Sequence, residues 1–201
     1  MKITGIVKSV CLAAAVVLAA AAVLVSCGEE SPDAPDAENG GSDGSESYAD
    51  VSADAVLDAA VAAFSEDELP KVKYYRSSVT DPDSDEYLDP DFAGQFFLNE
   101  FGAEMPAFTS LSEYAICAPA SKKAFEMIVF KLGEASDAAE AKKLMETRFS
   151  LKNSGDFGTY VPEEEEMMKN MQIIEKGSFI CLLCTSDNAR AISAIDAVLG
   201  G

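Results

Sequence analysis

Cys27 is the residue whose setting prescribes a reaction most directly. It closes the run Leu24, Val25, Ser26, Cys27. In that order a branched apolar residue fills a signal-peptidase subsite, small Ser26 stands at the scissile bond, and the Cys27 thiol carries a diacylglycerol. Upstream lie Lys2 and Lys8, then an apolar stretch from Ser9 to Val25 with no acidic residue, which is the layout of a secretory signal. About 17 apolar residues is the lower limit for spanning a bilayer, so residues 1–26 read as a cleaved lipoprotein signal peptide rather than a retained helix. Two acyl chains on Cys27 would anchor stably where one is marginal. The expected address is the outer, extracytoplasmic face of the cell membrane, with membrane lipid as the first partner.

Other candidate chemistries are weaker. Cys181 and Cys184 have C-x-x-C spacing, but Leu182 and Leu183 between them belong to a strand, where residues three apart face opposite ways. A redox pair would instead need a helix N-terminus to lower the thiol pKa. Cys117 makes the count in the domain odd; either all three are buried thiols, or Cys117 pairs with Cys181 or Cys184. The chain contains no His, which removes Ser-His and Cys-His nucleophile pairs and the usual zinc set. Asp81, Asp83, Asp85 and Asp89 alternate like a calcium loop, yet Glu86 and Phe92 occupy the places that need Gly and a bidentate Glu. Met167, Met168 and Met171 could capture copper(I) as thioethers, but their helical spacing reads as core filler. No metal and no cofactor is expected. Arg148 falls within an apolar helical stripe. Its stem is expected to be covered and its head to pair with a carboxylate, the alternative being recognition of an anionic group in a cleft.

Composition bounds what holds these residues. Acidic residues outnumber basic ones 35 to 15, for a net charge of −20; loss of Lys2 and Lys8 leaves 13 basic residues and a net charge of −22. Such a surface repels nucleic acid. Residues 27–50 comprise the lipidated Cys and a Gly/Ser/Pro/Asp/Glu-rich segment with no Lys or Arg, which reads as an acidic tether. Residues 51–201 remain for a single domain with a sizeable core.

Within it, Val56, Leu57, Ala60, Val61 and Phe64 predict a helix over 52–65. Asp89 and Pro90 open a second that stops before Gly102, and residues 66–88 read as an irregular connection. Strands are predicted at 114–118, at 124–132 with apolar residues on both faces as in a central strand, at 172–175 and at 178–185. A helix capped by Ser136, with Ala141, Leu144, Met145 and Phe149 inward, follows the first hairpin. A short helix opens at Pro162. Ser186 and Asp187 start a last helix with Ile192, Ile195 and Leu199 inward. The expected fold is α+β: one antiparallel sheet of about four strands, made from two β-hairpins each followed by a helix. Helices would pack on one face, with one or two helices before the sheet.

Glu113 with Tyr114, the apolar strand ending near Lys131, Arg148, Tyr160 with Pro162, Gly177, and Ser186 with Asp187 carry a resemblance. Over residues 113–197 the chain resembles an uncharacterised family of small lipoproteins from Gram-positive anaerobes, a domain of unknown function. It departs from that pattern at Glu165, Glu166 and Met167, where an aromatic is usual. The resemblance implies a lipid-anchored domain on a single-membrane cell and supplies no activity. The expected function is therefore a non-catalytic binding or interaction module of the cell envelope, with an envelope protein or small ligand as partner. The alternative is a carboxylate-based hydrolase or transferase, which would need a deep cleft holding a Glu or Asp of raised pKa.

Overall fold

The computed structural model describes residues 48, 50–154 and 164–200. The expected signal peptide, Leu24 to Cys27, nearly all of the tether, and Tyr160 with Pro162 lie outside the described residues.

Helix α1 (Ala53–Ala62) begins where the Ser52 side chain accepts the Ala55 N–H. Glu113, remote in sequence, accepts the Ala53 N–H at 2.8 Å, so one orphan donor of the first turn is met from the sheet. Strand β1 (Val72–Arg76) follows. Helix α2 (Pro90–Leu98) is capped by Asp89, which accepts the N–H groups of Asp91 and Phe92, and it ends at Asn99 in the left-handed conformation. Helix α3 (Pro106–Thr109) leads into the hairpin of β2 (Leu111–Pro119) and β3 (Glu126–Leu132). A 3-10 turn at Ala135–Asp137 precedes α4 (Ala138–Asn153), and Ser136 does not cap it; its hydroxyl turns to Glu134 instead. Helix α5 (Glu165–Lys169), strands β4 (Gln172–Lys176) and β5 (Phe179–Cys184), and α6 (Asn188–Val198) complete the order. Asp187 accepts the Arg190 N–H to start α6.

The antiparallel α+β class is as expected, with two differences of arrangement. The sheet has five strands in the order β1-β2-β3-β5-β4, because Val72–Arg76, inside the connection read as irregular, pairs with Ala115–Pro119. Helices cover both faces instead of one. Alternation along the strands sends Ile116, Ile128, Phe130, Ile180 and Leu182 to one side against Phe97, Leu144 and Met145. Cys117, Met127, Val129, Cys181 and Leu183 go to the other side, against Val56, Leu57 and Ile195. A central strand apolar on both faces requires two covering layers. Here α2 and α4 supply one, and α1 and α6 the other.

Two glycines fit only as glycines. A Cβ on Gly94 would lie 2.6 Å from the Glu100 carbonyl oxygen and 2.7 Å from the Ala103 nitrogen, both backbone atoms. Gly177, at the β4–β5 turn, has φ of 57°, and a Cβ there would stand 2.4 Å from the Tyr48 ring. Packing of the domain thus reaches back to Tyr48. No described helix is long and apolar enough to cross a membrane.

Candidate functional site

Glu126 opens β3 on the α4 side of the sheet and is fully buried. A carboxylate so placed is costly unless it is paired and hydrogen-bonded. Helix α4 meets that need with two cations four residues apart, which a helix places on one face. Arg148 donates from Nε to Oε1 at 2.9 Å and from Nη2 to Oε2 at 2.5 Å. Lys152, itself buried, donates from Nζ to Oε2 at 3.0 Å. Burial alone would push the Glu126 carboxyl up, but the charges of Lys152 and Arg148 overcome it and hold the group down at about 2.

Arg148 does more than neutralise. Its Nη1 donates to the Phe96 carbonyl at 2.9 Å, and its guanidinium carbon stands 3.9 Å from the Phe96 ring centroid, a cation–π arrangement. One side chain thereby joins the sheet, α4 and the last turn of α2. Glu126, Arg148 and Lys152 line a cleft of about 540 Å³ with Gln95, Lys122 and Lys123. Opposite Glu126, the lining holds four of the chain's 15 basic residues. Among the described residues this lining is thus locally rich in basic side chains on an acidic chain. At its edge Glu164 pairs with Lys123 at 2.6 Å and accepts the Ala124 N–H.

The remaining candidates are drawn into structure. Cys117 and Cys181 share a face, but β3 runs between their strands and the register offsets them by two residues, so they stand more than two strand spacings, about 9.6 Å, apart, beyond disulfide reach. Cys184 faces the opposite core. All three are free and buried, and burial pushes each thiol up to about 12. Asp81 accepts the Asp83 N–H, and Asp89 is spent as the cap of α2. Among the described residues no group of His, Cys, Asp or Glu is poised to hold a metal. Met168 and Met171 are core residues. Arg76, not singled out from sequence, joins Asp54, Asp58 and Glu86 and clamps α1 to β1. A larger groove of about 920 Å³ gathers Tyr87, Phe108 and Tyr114; Glu113 on its wall is spent on the Ala53 N–H and on Lys131.

Sequence reasoning found Arg148 and missed its partner Glu126 and the second cation, Lys152, that shares that partner. A signal was present in each case: Glu126 interrupts an apolar run, and Lys152 sits one helical turn beyond Arg148 on the same stripe.

The fold and cleft define an α+β domain with a five-stranded antiparallel sheet and a cation-lined recess. Residues 109–185 match the model of a family described as a domain of unknown function, DUF4358. That segment is under half of the chain, and it takes in Glu126, Arg148 and Lys152, in agreement with the resemblance drawn from the sequence. No curated protein and no solved structure matches the chain.

Proposed function

We propose that the chain is an extracytoplasmic lipoprotein, anchored through acylated Cys27, whose α+β domain is a non-catalytic binding module of the cell envelope. The observation that carries the binding reading is the state of the carboxylate in the cleft. A general acid working near neutrality needs a raised pKa, and Glu126 is displaced the other way, to about 2, by two cations it holds in place. A permanently ionised carboxylate that positions an Arg and a Lys is the scaffolding of a recognition site. The lipobox and the basic n-region support the address, and the acidic segment of residues 27–50 supports a domain held off the headgroups.

Two measurements test this. Labelled palmitate should enter the full chain in its host and be lost in Cys27→Ser; labelling that survives the substitution refutes the anchor. In-cell cross-linking of the anchored protein should return a reproducible neighbour, and its consistent absence argues against the module.

A further inference from the structure

Building on the binding reading, we infer that the cleft takes a small carboxylate, held by the N–H groups of Arg148 that Glu126 and Phe96 leave unspent. A guanidinium has five N–H donors in a rigid plane. Among the described residues three are engaged: Nε and one on Nη2 by Glu126, and one on Nη1 by the Phe96 carbonyl. One N–H on each of Nη1 and Nη2 remains, on a side chain that lines the cleft. The plane cannot turn to suit a guest, because Glu126 fixes one edge and the Phe96 ring covers a face at 3.9 Å. A fixed planar pair of donors matches the planar oxygens of a carboxylate better than the tetrahedral oxygens of a phosphate.

Charge and size agree. Two cations, Arg148 and Lys152, share the single carboxylate of Glu126 and leave that cluster one positive charge in excess, which favours an anion at the donors of Arg148. The buried Glu126 raises the cost of removing either cation and so keeps the site preformed, which lowers the ordering cost of binding. A volume of about 540 Å³ is in the range of small-ligand sites. Gln95 at the mouth donates to Asn99 at 2.8 Å, which leaves an amide oxygen on Gln95 and an amide NH₂ on Asn99 for the neutral polar part of the guest. These features together describe a molecule of amino-acid to dipeptide size that ends in a carboxylate.

The test is calorimetric titration of the full chain in detergent with N-acetyl-alanyl-alanine, its C-terminal amide and inorganic phosphate. The acid should bind saturably, with the amide and phosphate about tenfold weaker or more. Arg148→Lys keeps the charge but removes the planar fork and should cost the acid about tenfold. Gln95→Ala, at the exposed mouth and outside the buried cluster, should cost it about threefold at a melting temperature within a few degrees of the native one. Equal binding of acid and amide, phosphate as tight as the acid, or full affinity in either variant overturns the carboxylate assignment. Absence of heat with the acid also overturns it, and the cross-linking result then says what else falls. A reproducible neighbour leaves the binding module standing with a different ligand, and no neighbour removes both.

Discussion

Glu126 shows how a single buried charge makes its surroundings obligatory. Replacing a buried ion cluster by packed apolar groups is often neutral, whereas removing one member strands the others. Glu126→Gln strands two cations, one of them almost without solvent contact, and should lower unfolding free energy by about 3–5 kcal/mol. Lys152→Met leaves Glu126 with the two-point grip of Arg148 and should cost less than Glu126→Gln. Denaturant titration of the pair checks the ordering, and equal losses would mean that Arg148 alone does not satisfy the carboxylate. The same group gives an acid dependence. Its pKa is near 2 in the folded chain and near 4.3 when unfolded, so its contribution is whole above pH 4.5. It is lost as pH falls toward 2, about 3 kcal/mol in all. Melting temperatures between pH 5 and 2 should fall less steeply in Glu126→Gln than in the native chain. Arg148 could be read from sequence as a covered stem with a paired head because its neighbours on the stripe are apolar. Its partner was harder to pick: Glu126 interrupts an apolar run, but 35 carboxylates offer many choices and the pairing crosses 22 positions of chain.

Elements were legible in proportion to how much of their form is local. Asp89 with Pro90 fixes the start of α2, and Asp187 the start of α6, through side-chain bonds that span three residues or fewer. The apolar runs of β3 and β5 announce central strands. β1 escaped because an edge strand with Lys73 and Arg76 on it lacks an apolar run, and only Tyr74 and Tyr75 favour extended backbone. The second covering layer was implied by β3 itself, apolar on both faces, but which helices would supply it depends on crossings no local pattern records. Gly94 offers a test at this scale. Helix propensity alone favours Ala by about 1 kcal/mol, yet the Cβ would meet the backbone of residues 100 and 103. Gly94→Ala should therefore destabilise by about 1–3 kcal/mol, as read from chemical denaturation; a stabilised variant would show that this turn yields freely.

In the molecule as a whole, two cores share one sheet, and the buried thiols report on both. Cys117 and Cys181 lie in the core under α1 and α6, Cys184 in the core under α4. Because β3 and β5 contribute to each, the domain should lose both together in one transition. Peptide mapping after brief alkylation along a denaturant series should show the three thiols becoming reactive at the same midpoint. A separate, earlier midpoint for Cys184 would mean that the α4 layer opens alone.

The packing of Tyr48 on Gly177 also marks one end of β5. That contact lies where β4 turns into β5, whereas the cleft opens at the opposite end of the strands, where Glu126 stands across from Cys184. From Phe179 to Cys184 the strand advances about 17 Å. The Tyr48 contact and the mouth of the cleft are therefore separated by the full length of β5, so each can be altered without touching the residues of the other.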